Sequence, residues 1–152
     1  LLRKYFPGCA ITTDVIVGFP GETEEEFGQT KAFLEQVNFF EMHIFKYSRR
    51  RGTKADSMPE QIPEDIKTRR SNVLLELEKK QSAEFRNTFI GKTVEVLLEE
   101  KKMVGEADYW IGHTAEYVKI AVPSGAYSKN MLLRVSVREF LQEDILLGDS
   151  AV

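Results

Sequence analysis

The chain has 152 residues, 42% of them hydrophobic, with a formal net charge of −3 and a single cysteine, Cys9. One cysteine excludes an internal disulfide framework, and no cysteine motif for zinc or an iron–sulfur cluster is present. No apolar run approaches the ~20 residues of a membrane-spanning helix, and the length suits one ordinary domain or two small ones.

From the amino terminus, Leu1 to Phe6 followed by Pro7-Gly8 predicts the tail of a helix and its stop. A helix tail without its body points to a fragment of a longer chain. Thr12 to Val17 predicts a strand, in which Val15, Ile16 and Val17 form the continuous apolar run of a strand covered on both faces, as in parallel sheets. Gly18-Phe19-Pro20-Gly21 then predicts a turn that brings bare backbone to the strand's carboxyl end, where α/β sheets and barrels hold ligands. The turn reads equally as a plain connection. As a nucleotide phosphate loop it is poor, since no Gly-Lys-Ser/Thr ending follows and Glu22 repels phosphate.

Thr23 caps the next helix, with Glu26 reaching back to the Thr23 amide and Glu24 and Glu25 at the positive end of the dipole. Phe27, Thr30, Phe33, Leu34 and Val37 form the stripe expected to face the sheet. Phe39 to Tyr47, mostly aromatic or β-branched, predicts a second strand and hence one βαβ unit. His43 within it has no second metal ligand at suitable spacing and is given no chemistry. Lys46, Arg49, Arg50, Arg51 and Lys54 cluster in a basic loop, read either as solvated surface or as a place where phosphate or carboxylate is met. Pro63 opens a long helix ending before Gly91. Its buried face carries Ile66, Val73, Leu74, Leu77, Gln81 and Phe85, and its wet side Arg69, Arg70, Lys79 and Lys80.

Beyond Gly91 the period becomes that of strands, over 93–99, 109–113, 117–122 and 132–137, with Ile145 to Val152 closing the sheet. Short strands separated by Gly, Ser and Asn turns predict a small antiparallel five-stranded barrel like an oligonucleotide-binding fold. Lys92, His113, Tyr117, Lys119, Lys129, Arg134 and Arg138 offer RNA cations and an aromatic for stacking. Residues 90–152 carry seven basic against ten acidic side chains, so an RNA surface has to be one face of a barrel whose opposite face is acidic. A barrel that only packs on its neighbour fits the same composition. The fold class is thus α/β plus all-β.

Three motifs, in this order and spacing, resemble the radical S-adenosylmethionine tRNA methylthiotransferases. They are Thr13-Asp14-Val15-Ile16-Val17-Gly18-Phe19-Pro20-Gly21-Glu22-Thr23, then Tyr47-Ser48-x-Arg50-x-Gly52-Thr53, and finally Gly112-His113-Thr114-x-x-Tyr117. The third looks most like the branch acting on threonylcarbamoyladenosine. The resemblance covers essentially the whole chain and implies three parts. Residues 1–62 would be the C-terminal part of a radical S-adenosylmethionine (β/α) partial barrel, 63–90 a bridging helix, and 91–152 an OB-like TRAM β-barrel that holds tRNA.

The resemblance further implies a parent enzyme that methylthiolates C2 of a modified adenosine beside the anticodon. In the family, S-adenosylmethionine is reduced at a 4Fe-4S cluster to a deoxyadenosyl radical, and the protein orients the nucleoside and excludes water. Asp14, Ile16 and Gly18 would line the adenosylmethionine pocket, with Phe45 and Tyr47 flanking it. Asp14 would accept a polar hydrogen, Ile16 cover the adenine, and Gly18 leave room for close backbone approach. Arg50 would stand at the substrate mouth, and Lys92, His113, Tyr117, Lys119 and Arg134 would meet the tRNA anticodon stem-loop. The three-cysteine cluster motif and the upstream domain with its second cluster are missing from this sequence. The chain alone is therefore expected to be inactive, with no catalytic or metal-ligating residue and no retained cofactor, offering a tRNA surface and one wall of the adenosylmethionine site. The expected setting is the cytoplasm, with no membrane partner. The competing reading is a stand-alone RNA-binding module that catalyses nothing.

Overall fold

The computed structural model describes residues 1–151; Val152, the last residue of the expected closing strand, lies outside the described residues. The chain divides into two compact units, residues 11–82 and residues 1–10 together with 83–152. α1 (Leu2–Tyr5) is one turn, stopped ahead of Pro7 and of Gly8, which sits at φ +79°.

In the unit 11–82, β1 (Thr12–Val17) and β2 (Glu41–Lys46) run parallel, joined by α2 (Glu24–Val37). The capping box forms as the sequence predicts: the Glu26 amide donates to Thr23 Oγ1 at 3.1 Å and the Thr23 amide to Glu26 Oε2 at 2.8 Å. Asn38, in the left-handed region at φ 55°, closes the other end. A cap contributes about 1 kcal/mol, whereas burying one Leu or Phe contributes roughly 1.5–3. Phe27 and Leu34, buried against Val15, Val17, Phe39, Met42 and Leu74, therefore hold α2 more than its cap does. The last of these, Leu74, comes from α3 (Glu64–Asn87). Buried Gln81 lies on the same face of α3 and donates to the Leu34 carbonyl, one of the carbonyls of the last turn of α2, at 3.0 Å.

Four expectations change here. β1 is covered on one face only: Val15 and Val17 are buried, but Ile16 is 56% exposed, because α2 and α3 share one core with the inward residues of β1 and β2. Phe33 is 58% exposed; six residues from Phe27, it stands about 120° off the buried stripe. β2 begins at Glu41, with Phe39 and Phe40 buried in its lead-in, and Tyr47 just beyond it still donates to the Val17 carbonyl at 2.8 Å. Arg70, expected on the wet side of α3, is 2% exposed.

In the second unit, β3 (Thr93–Val104), β4 (Ala107–His113), β5 (Lys119–Pro123), β6 (Leu132–Gln142) and β7 (Ile145–Ser150) close a barrel in the order β3-β4-β5-β7-β6. Every neighbouring pair is antiparallel except β5–β7, which is parallel. This corrects the expected antiparallel barrel for a geometric reason: an odd number of strands cannot alternate direction all the way round. Val96, Leu98, Ile120, Val122, Val135 and Leu146 are fully buried and alternate with outward residues. Gly112 is required where β4 crosses the β3 bulge, since a Cβ there would lie 2.2 Å from the Leu97 carbonyl oxygen. Tyr117, expected to begin a strand, instead sits at φ 67° in the turn before β5.

Candidate functional site

The carboxyl ends of β1 and β2 bring together most of the residues singled out on those strands. In the parallel register Asp14 stands opposite His43 and Ile16 opposite Phe45. All four alternate with buried Val15, Val17 and Met42, so they share the open face of the sheet. Ile16 and Phe45 are 56% and 52% exposed, an apolar pair with no core over it, and Asp14 Oδ1 lies 3.2 Å from His43 Nδ1 beside it. Such a face can cover a planar apolar group while its carboxylate accepts a polar hydrogen.

Gly18, the next residue after β1, is buried at φ +71°. A Cβ there would fall 2.3 Å from Lys67 Cγ, so glycine is required by the stem of a lysine on α3. Lys67 then donates from Nζ to the Tyr47 carbonyl at 3.0 Å and lies over the Tyr47 ring at 5.5 Å. The Tyr47 ring meets Phe19 edge-on at 5.2 Å, and its buried hydroxyl has no partner among the described residues. Lys46, Tyr47, Ser48, Arg49, Glu64 and Lys67 line an open cleft of about 440 Å³. Its charges are mutually engaged: Lys46 pairs with Glu64, whose carboxyl is held below the ordinary glutamate value chiefly by the Lys46 hydrogen bond. Arg49 is fixed to Asp56. Arg50 is exposed in the following turn, where its carbonyl accepts from the Thr53 amide and hydroxyl.

Two residues here escaped the sequence reading as parts of a site. Glu22 accepts the Gly18 amide at 2.6 Å and is paired with Arg70 Nη1, which also donates to the Glu22 carbonyl at 3.0 Å. Arg70 Nη2 reaches Glu24 at 2.7 Å, and exposed Arg69 reaches the same carboxylate. Hydrogen bonds from Arg70 and then Arg69 hold the Glu24 carboxyl below its ordinary range. Burial opposes the charge of Arg70, yet the bonds to Glu24 and Glu22 outweigh it and leave its pKa raised. The 48 residues separating Glu22 from Arg70 leave no local pattern to read.

The barrel presents a second collection. Leu132, Leu97, His113 and Lys119 are successive cross-strand partners on the outward face of β6, β3, β4 and β5, with Arg134 opposite Glu95 in the next outward row. His113 Nδ1 lies 2.9 Å from Glu99, and the Tyr117 ring is stacked on His113 with centroids 4.3 Å apart. A tight turn builds this stack: the Tyr117 amide donates to the Thr114 carbonyl, and the Thr114 amide to the Val118 carbonyl, each at 3.0 Å. Tyr117 is left 69% exposed. Lys119 pairs with Asp144 at 2.9 Å, a hydrogen bond that lowers the Asp144 carboxyl against the opposing effect of burial. Lys92 lies elsewhere, over the Phe89 ring at 5.6 Å, and Arg138 is engaged with Asp149. Among the described residues no group of three or more His, Cys, Asp or Glu is arranged to hold a metal ion, and no helix is long and apolar enough to cross a membrane.

No family model matches the chain. It is 41% identical over 120 residues, 78% of its length, to the threonylcarbamoyladenosine tRNA methylthiotransferase MtaB of Bacillus subtilis (strain 168), of which this covers 27%. It is 37% identical over 151 residues, 95% of its length, to the tRNA-2-methylthio-N(6)-dimethylallyladenosine synthase of Wolbachia pipientis subsp. Culex pipiens (strain wPip), covering 33% of that protein. With the ribosomal protein uS12 methylthiotransferase RimO of Clostridioides difficile (strain 630) it shares 44% identity over 101 residues, 66% of the chain and 23% of that protein. The chain thus spans a third or less of the curated relatives it matches here, and their names cover three different substrates.

Proposed function

We propose that this chain, whose homologues over much of its length are named tRNA methylthiotransferases, is the part of such an enzyme that supplies one wall of an S-adenosylmethionine pocket and a surface for tRNA. Residues 1–62 form the end of the radical S-adenosylmethionine barrel, 63–90 the bridging helix, and 91–152 the TRAM barrel. The observation that carries the reading is the Ile16–Phe45 pair, in register and half exposed on the open face beside the Gly18 turn. Apolar area of this kind fits an adenine, Asp14 fits a polar hydrogen of the ligand, and the orphaned Tyr47 hydroxyl is a donor that a bound polar group would satisfy. A bound S-adenosylmethionine would supply the radical chemistry of methylthiolation. Among the described residues no group of His, Cys, Asp or Glu fits an iron–sulfur cluster.

On the barrel, a base stacked on Tyr117 and phosphates near Lys119 and Arg134 would hold tRNA, with Arg50 at the substrate mouth. The His113 and Tyr117 motif favours threonylcarbamoyladenosine beside the anticodon, methylthiolated at C2 in the cytoplasm. The test expresses the complete reading frame that carries this segment and measures tRNA nucleosides by mass spectrometry. A 2-methylthio derivative of threonylcarbamoyladenosine supports the reading, the dimethylallyl derivative moves the protein to the other branch, and no methylthiolated nucleoside overturns it. A second reading, an RNA-binding module without catalysis, draws on the barrel face alone. It predicts tRNA retention by the full protein with no S-adenosylmethionine binding.

A further inference from the structure

Both strand ends that would wall the adenosylmethionine pocket hang from one face of α3. Lys67 and Arg70, three residues apart, point the same way along the helix. Lys67 holds the Tyr47 carbonyl beyond β2, and Arg70 holds the carbonyl and carboxylate of Glu22 in the turn beyond β1. The Glu22 carboxylate in turn accepts the Gly18 amide at 2.6 Å. Arg70, 2% exposed, lies with its guanidinium 5.4 Å from the Phe27 ring centre. A buried ion pair of this kind is a poor way to add stability, because desolvation offsets most of its attraction. What a forked guanidinium does well is fix geometry: it holds Glu22 through one nitrogen and Glu24 through the other.

We infer that Arg70 is a positioning residue for the S-adenosylmethionine pocket, setting the place of the Gly18 amide and of the Ile16–Gly18 wall through Glu22. The inference rests on the reading of this face as that pocket. Without Arg70, the Glu22 carboxylate loses its charge partner and swings to water, releasing Gly18. The wall adjoining Ile16 then moves. Lysine restores the charge at this position but not the fork, so it recovers only part of the effect.

The test uses the full-length protein with its clusters reconstituted, and compares Arg70→Gln, Arg70→Lys, Glu22→Ala and Arg69→Gln. S-adenosylmethionine binding is measured by equilibrium dialysis. Arg70→Gln is expected to weaken binding on the order of tenfold or more, Arg70→Lys less, and Glu22→Ala, which removes the acceptor of the Gly18 amide, comparably to Arg70→Gln. The double Arg70→Gln/Glu22→Ala is expected to add little to either. Arg69→Gln removes the exposed partner of the same Glu24 and leaves affinity unchanged. A purely structural role lowers the fraction of protein that binds and leaves the Kd of the folded remainder unaltered; that result overturns the inference. If Arg70→Gln does not fold, Glu22→Ala decides by the same measurement, and unchanged affinity there overturns it too. Wild-type protein that binds no S-adenosylmethionine sinks the pocket reading itself, whereas wild-type binding with unaltered variants sinks only the role of Arg70.

Discussion

Ile16 on β1 faces Phe45 on β2 across a parallel register, and both are half exposed while Val15 and Val17, the chain neighbours of Ile16, are buried. Two adjacent residues of one apolar run thus carry different burdens. Val17→Ala, at a fully buried site, is expected to cost this chain roughly 2 kcal/mol, and Ile16→Ala less than about 1. Urea denaturation of the two variants measures the difference. Equal costs would mean that the open face is covered in solution.

Two glycines should respond oppositely to alanine. Gly28 lies inside α2 with nothing within 4 Å of a Cβ, so Gly28→Ala is expected to stabilise by about 0.5–1 kcal/mol. Gly112→Ala drives a methyl onto the Leu97 carbonyl and is expected to cost roughly 1–3 kcal/mol or more. Thermal unfolding followed by circular dichroism reports both signs.

Acid should weaken the protein through Glu24, Glu64 and Asp144, all depressed in the folded state by Arg70 and Arg69, Lys46, and Lys119 respectively. A depressed carboxyl binds its proton less readily when folded than when unfolded. Its contribution is therefore complete above the unfolded values, 4.5 for Glu and 3.8 for Asp, and is lost as pH falls through the lower folded ones. The melting temperature should fall as pH is lowered from about 5 to about 3, less steeply in Glu24→Gln. Stability that rises on acidification over this window would contradict the assignment.

On the barrel face, Tyr117→Ala should weaken binding of tRNA by roughly 1–3 kcal/mol if a base stacks there. Lys119→Glu with Arg134→Glu should weaken it further and make the dependence of log K on log salt shallower. Filter binding at several salt concentrations, on the full protein, reads both. Unchanged retention in the charge-reversed variant would remove this face from the interface.

Much of the fold was legible because its signals are local. The Thr23–Glu26 capping box lies within one helical turn, and the apolar alternation of Thr93 to Leu98 reports its own inward and outward faces. The candidate face at Asp14, Ile16 and Phe45 was legible as residues through the resemblance alone; the strand pattern predicted Ile16 covered, and it is 56% exposed. Glu22 and Arg70 were not, because their partnership closes a span of 48 residues that no periodicity announces. A basic residue on a polar helix is ordinarily solvated, and only the turn arriving over it makes Arg70 a buried one.

The sequence by itself determined most of the strands and helices, though not all their ends, and which motifs align the chain with the methylthiotransferases, since each depends on neighbours a few residues away. Only the tertiary structure decided that one face of β1 stays open, that the five-stranded barrel closes through one parallel pair, and that α3 grips the ends of both strands. Those outcomes depend on which element covers which face. Coverage is a property of segments that meet in space, and in this chain those segments stand far apart along the sequence.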